Sequence, residues 1–213
     1  MSQLAIAVTP SLSRPVGRPR EFDRDRALDA AMRVFWRYGY EGASLTELTA
    51  AMGINRPSLY AAFGDKAALF REAVARYGAG PGRYVRRALG QPTARQVAET
   101  LLRGAVANAT DPTHPGGCLW VHGALATGPE NAPIRAEIAA LRARGIAQIR
   151  ARFDRALAEG NLPTTTDTEA LTLFLISVMH GIAVQAAGGF SRDQLQRVAN
   201  HAMTCLLYTS RCV

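Results

Sequence analysis

The chain has 213 residues, 48% of them hydrophobic, enough to bury a sizeable core without disulfides or a structural metal. Its three cysteines, Cys118, Cys205 and Cys212, form no disulfide framework and fit a reducing cytoplasm. A formal net charge of +8 suits a polyanionic partner, yet residues 1–78 hold eleven basic against eight acidic residues and residues 79–213 hold fourteen against nine, so charge alone marks no binding face. Lys66 is the only lysine. Long alternating β-branched runs are absent, which predicts an all-α fold.

Residues 1–20 read as an unfolded basic arm, with Pro10, Pro15, Pro19 and Arg14, Arg18, Arg20. The opening MSQLAIAVTP has no basic region ahead of its short apolar run and no convincing cleavage site, which argues against a signal peptide. A first helix is predicted from near Asp23, with an inner stripe of Ala27, Ala31, Val34, Phe35 and Tyr38, stopped by Gly39. Ser44 and Glu47 form a capping box for SLTELTAAM, in which Leu45, Leu48 and Met52 face inward. Gly53 makes a tight turn. Asn55 then caps a very short helix that carries Pro57 in its first turn and Leu59 and Phe63 on one face. Gly64 ends that helix, and Asp65 opens the next, whose stripe is Leu69, Phe70, Ala73, Val74 and Tyr77. Two short helices joined by a glycine turn and propped on longer ones predict a helix-turn-helix over residues 21–78.

The remainder, residues 79–207, is predicted as a helical domain. A Gly/Pro-rich connector leads to a helix opened by Thr93 and Gln96 and running to about Ala109. After the loop TDPTHPGG comes a compact helix, CLWVHGALAT, broken by GPENAP. A long helix follows, striped by Ile134, Ile138, Leu141, Gly145, Ile149, Phe153 and Leu157, with its arginines elsewhere. The segment ALTLFLISVMHGIAVQAAGGFS carries no charge and is long enough to span a bilayer. Its polar residues, its three glycines and the cap at Asp167 favour a helix buried in a core or a subunit interface, with no membrane. A last helix is opened by Ser191 and Gln194. The closing LLYTSRCV breaks the preceding pattern, and residues 208–213 are set apart as a tail.

The segment GASLTELTAAMGINRPSLYAAFGDKAALFREAV resembles the DNA-binding domain of the TetR/AcrR family of bacterial transcription regulators, over roughly residues 22–78. The resemblance implies an N-terminal helix-turn-helix domain and a C-terminal helical bundle for ligand binding and dimerisation. It also implies a homodimer paired through its last two helices on a double-stranded DNA operator, and release by a small-molecule effector. In such a motif the second short helix lies in the major groove, anchored here by Leu59 and Phe63. Pro57, Ser58 and Ala61 then face outward, flanked by Arg56 and Tyr60. Arg56 can meet a guanine edge or a phosphate, while Pro57 and Ala61 offer only apolar contact, for instance to a thymine methyl. Family resemblance places Tyr60 and Lys66 against the DNA backbone. Ser44 and Thr46 sit at a helix N-terminus, where free N–H groups suit phosphates. Many relatives carry a larger residue where this chain has Ala61 and Ala62, so base-edge hydrogen bonds are expected to be sparse. Arg18 and Arg20 of the arm are candidates for the minor groove.

Candidate pocket residues are Cys118, His122, Phe174, Met179 and His180. Cys118 falls in the first turn of its predicted helix, where the macrodipole favours a thiolate, although a small core residue is the plainer reading. Cys118 and His122 lie four apart, as a metal pair or a nucleophile and base would, but no further ligand or orienting group is evident. His180 suits a pocket wall or a satisfied core position, and Trp120 and Phe174 suit a core. No phosphate loop, H-E-x-x-H or G-x-S-x-G motif is present, so the expectation is a cytoplasmic regulator with no cofactor and no enzymatic activity. Its alternatives are a regulator without an effector and a helical enzyme using Cys118 and His122.

Overall fold

The computed structural model describes residues 22–123 and 127–208, and among these there are helices and no strands. The arm with Arg18 and Arg20, and residues 209–213, lie outside the described residues. Helices α1 (Arg24–Gly42), α2 (Leu45–Met52), α3 (Arg56–Phe63) and α4 (Lys66–Ala79) form the N-terminal head.

Local chemistry sets each of these boundaries. Asp23 caps α1 by accepting from the Arg26 N–H at 3.1 Å, and Asp65 caps α4 by accepting from the Ala68 N–H at 2.7 Å. At the start of α2, the Ser44 hydroxyl accepts from the Glu47 N–H at 3.1 Å, and the Glu47 carboxylate accepts from the Ser44 N–H at 3.0 Å. Helix α2 stops at Gly53, whose φ of 68° is left-handed and sets the tight turn into α3. A second break lies inside α1 at Gly39, with φ 70° and ψ 178°. Beyond that break Tyr40 turns back into the core against Phe35 and Phe70, at ring-centroid distances of 6.3 and 5.1 Å. Tyr38, expected inside, is therefore exposed, and the buried arc of α1 widens to Leu28, Met32 and Trp36 because α2 and α4 pack on two sides of it.

The two donors that the Glu47 carboxylate accepts from, the Ser44 backbone N–H and hydroxyl, hold its pKa below the ordinary value of 4.5. The capping box therefore stabilises α2 fully above the unfolded carboxyl pKa, and that contribution is lost as pH falls through the lower folded value. An NMR titration of the Glu47 side-chain carbon should give a midpoint below 4.5 that moves part of the way back in Ser44→Ala.

Past a 3-10 turn at Pro81–Arg83 come α5 (Tyr84–Leu89), α6 (Ala94–Ala109), α7 (Leu119–His122), α8 (Ala132–Ala158), α9 (Thr168–Ala187) and α10 (Arg192–Tyr208). Helix α6 is the hub, packed against α5, α8, α9 and α10. Gly104 lets α5 approach it, since a Cβ there would lie 2.4 Å from the Tyr84 ring. Three expectations need correction. The segment CLWVHGALAT yields a single described turn of helix at α7, because Cys118 is its cap and Gly123 closes it. Arg152 does not join the outer arginines of α8. It is buried, and its guanidinium donates to the Gln91 and Pro92 carbonyls at 2.7 and 2.9 Å, groups left free where the α5–α6 connection turns. Helix α10 runs through the supposed pattern break as far as Tyr208.

Helix α9 is long and apolar enough to cross a membrane by length and composition alone. Thr172, Leu175, Met179, Ile182 and Ala183 are buried in the helical domain, whereas Leu173 and Val184 stand half exposed on the opposite side. Between those two lie Ser177 and Gly181, small residues on the same stripe. With Phe190 and Val198 of the following turn and helix exposed as well, the fold presents an uncharged apolar face in need of a partner.

Candidate nucleic-acid interface

An eight-residue helix is too short to persist alone, so α3 depends on what holds it. Asn55 accepts from the Ser58 N–H at 2.9 Å, and Pro57 occupies the first turn, where its missing N–H costs nothing. Leu59 is fully buried and Phe63 nearly so. At the far end, the Arg24 guanidinium donates to the Ala62 carbonyl at 3.3 Å, lies 4.4 Å from the Phe63 ring centroid and pairs with Glu72 at 2.7 Å. One arginine of α1 thus ties the end of α3 to α4.

Arg56, Pro57, Tyr60 and Ala61 are exposed on the opposite side of α3, and Ser58 is half-buried. Tyr60 keeps 47% of its surface in solvent although it sits between two buried anchors. The Arg56 guanidinium donates to the Thr46 hydroxyl at 3.1 Å, joining α3 to the start of α2. Both hydrogen-bonding roles of the Ser44 hydroxyl are taken, since it also donates to Glu47 at 2.8 Å. Lys66, at the first turn of α4, places its ammonium 4.6 Å from the Tyr40 ring centroid, and partial burial lowers its pKa despite Glu41 nearby. The head therefore offers one outward surface with two helix N-termini, an arginine, a lysine, a tyrosine hydroxyl and small apolar side chains.

Behind the head, α5, α6, α7, α8 and α9 line a partly open cavity of about 250 Å³. Cys118, Trp120, Met179 and His180 line it, together with Arg142 of α8 and Asn108 of α6. Burial pushes the Cys118 thiol pKa up. Its sulfur accepts from the Tyr77 hydroxyl at 3.2 Å, which itself accepts from the Asn108 amide at 2.7 Å. His180 is held below its ordinary pKa by burial first and then by the charge of Arg142. The one-turn helix α7 joins this cavity to the head. Trp120 meets Tyr77 edge to face at 5.0 Å, and a Cβ on Gly82 would lie 2.7 Å from its indole ring, so glycine is needed for the close approach at the end of α4. On its other side, the Gly123 carbonyl accepts from the Tyr40 N–H at 2.8 Å, beside the break in α1.

Comparison with known proteins matches residues 27–73 to the profile described as "Bacterial regulatory proteins, tetR family" and residues 93–202 to "Tetracyclin repressor-like, C-terminal domain". The chain belongs to the TetR family. It is 31% identical over 201 residues to the HTH-type transcriptional repressor ComR of Escherichia coli (strain K12), covering 92% of this chain and 94% of ComR. A solved TetR-family regulator, a cysteine mutant of CifR complexed with 26-base-pair double-strand operator DNA, is 48% identical with a TM-score of 0.83 over 88% of this chain and 98% of that one. A TetR regulator from Chloroflexus aurantiacus shares the fold at 22% identity and a TM-score of 0.74. This chain is accordingly a DNA-binding transcriptional regulator.

Within the TetR frame, Ser44, Thr46, Arg56, Pro57, Ser58, Tyr60, Ala61 and Lys66 all come from α2, α3 and the start of α4. The pocket candidates divide. Cys118, Met179 and His180 line the cavity described above, whereas Phe174 lines a second one of about 500 Å³ near Asp167 and Leu206. His122 lines neither of the two. Its Nδ1 accepts from the Cys118 N–H at 3.3 Å, so it caps the backbone and does not serve the thiol as a base. The thiolate alternative at Cys118 gains no support, since one turn of helix gives little dipole and burial outweighs the hydrogen bonds to the sulfur, and the plainer reading of a small core residue agrees with its burial. Arg142 and Trp120 were missed as pocket residues because nothing local in the sequence separates an arginine facing a cavity from one facing water.

Proposed function

We propose that this TetR-family chain is a cytoplasmic homodimeric repressor that holds a double-stranded DNA operator and releases it when a small molecule fills the cavity behind the head. The observation that carries this reading is the outward surface of α3, where small and hydrogen-bonding side chains stand exposed directly opposite the fully buried Leu59. Arg56 reads a base edge or a phosphate, and Pro57 and Ala61 give apolar contact in the major groove. Tyr60, Lys66 and the α2 N-terminus hold the backbone. Ser44 contributes its position more than its hydroxyl, because that hydroxyl is committed to Glu47. The exposed face of α9 and α10 pairs two copies, setting the distance between two reading helices to match two half-sites. A ligand between α7 and α9 displaces Trp120, which bears on the end of α4, and so alters that distance.

Fluorescence anisotropy on DNA taken from beside the protein's own gene tests the reading, with scrambled DNA as control. Binding should be sequence-specific and fall steeply with added salt. Arg56→Ala should weaken it by roughly tenfold to a hundredfold, and Tyr60→Ala by less and about equally for all sequences. Equal, weak binding to both DNAs that neither substitution alters would overturn the assignment of α3.

A further inference from the structure

The lining of the cavity is chemically lopsided. Most of it is apolar, from residues such as Leu141, Ile149, Ile176 and Met179. Its charged residues are Arg142 and Arg144, His180 can join them when protonated, and no aspartate or glutamate lines it. Among the described residues Arg142 makes no ion pair and no hydrogen bond, although seven other arginines of the described chain are engaged with carboxylates or carbonyls, Arg24, Arg71 and Arg76 among them. It is also half-buried, whereas Arg135 and Arg144, the arginines before and after it in α8, are exposed. A half-buried arginine with no counter-ion, at the wall of a mostly apolar cavity, leaves its guanidinium donors for a ligand to meet. The ring nitrogen of Trp120 adds a second unmet demand, being shut off from water without a hydrogen-bond partner.

From the unpaired Arg142 at the wall of a mostly apolar cavity whose lining holds no acidic residue, we infer that the effector is a small carboxylic acid with a hydrocarbon or aromatic body. The inference rests on reading the cavity as the effector site. A guanidinium fork matches a carboxylate in both charge and geometry, which favours an acid over an alcohol or amide of the same shape. The apolar wall receives the body. A volume of about 250 Å³ suits a small ligand of roughly a dozen non-hydrogen atoms. An amine would face two arginines with no carboxylate to meet it.

The test uses the full-length chain and two probe series: phenylacetate, phenylacetamide and phenethylamine, then octanoate and octanamide. Calorimetric titration should show each acid binding at least about tenfold more tightly than its neutral or cationic counterpart, as one charge-assisted hydrogen-bonded pair allows. Arg142→Gln should abolish that preference by weakening the acids far more than the amides, and Arg142→Lys should restore part of it. Amide or amine binding as tight as the acid, acid preference that survives Arg142→Gln, or no binding by any probe would each overturn the inference. Anisotropy on operator DNA separates it from the reading beneath it. Neutral probes that release DNA without any acid preference would overturn the charge preference and leave the effector site standing. Acids that bind through Arg142 and do not release DNA would support the ligand class and overturn release through this cavity.

Discussion

Leu59→Ala is expected to be the most damaging conservative change in the head. Leu59 is fully buried at the centre of an eight-residue helix that has only Phe63 as a second anchor. Truncating such a leucine costs about 2–5 kcal/mol through lost burial and the cavity left behind. That is a large share of the 5–15 kcal/mol that roughly holds a domain of this kind folded. The loss falls on α3 before it falls on the rest, because the C-terminal helices have their own core around α6. Urea unfolding should show a destabilised head, while the far-ultraviolet spectrum stays helical and operator binding disappears. Ala61→Ser, on the outward side, should stay within about 0.5 kcal/mol of the parent. A Leu59→Ala protein as stable as the parent would mean that α3 is not seated as described.

The second large effect is expected from the uncharged face of α9. Leu173 and Val184 are each 50% exposed, with Ser177 and Gly181 between them, so another helix can come close. Replacing both by glutamate would leave the buried side of α9 untouched and place charges where a partner must dehydrate them. Sedimentation should show monomers with unchanged helix content. Operator affinity should then fall by roughly a hundredfold or more, because the two heads no longer bind as one linked pair. A double variant that sediments as a dimer and binds DNA normally would place the interface on another face.

The head was more legible in the sequence than the cavity, for a reason of range. Asn55, Pro57, Gly64 and Asp65 act within about four residues of themselves, so their effects follow from local rules, and the helix boundaries agree with them. Leu59 and Phe63 declare a face by spacing alone. Tyr38 failed because its fate depends on Gly39 breaking the helix and letting Tyr40 take the place against Phe70. Arg152 failed because its partners, the Gln91 and Pro92 carbonyls, lie about sixty residues away. At Cys118 the plainer core reading agrees with its burial, while the dipole alternative assumed a helix longer than one turn and could not see the Tyr77 hydroxyl brought in from α4. Arg142 becomes conspicuous only when α6, α7, α8 and α9 stand together around it.

Helix α3 is gripped mainly from its inner side, by Leu59, Phe63 and the Arg24 guanidinium beneath its last turn. Tyr60 and Ala61, which face away, contribute little to holding it, whereas Arg56 ties it to Thr46 and Pro57 sets its first turn. On the proposed reading of α3, recognition through Tyr60 and Ala61 is therefore almost uncoupled from folding. Successive substitutions on the outer residues can move the regulator to a new promoter sequence through intermediates that remain well folded. A laboratory seeking to redirect it could randomise Tyr60 and Ala61 without first stabilising the scaffold.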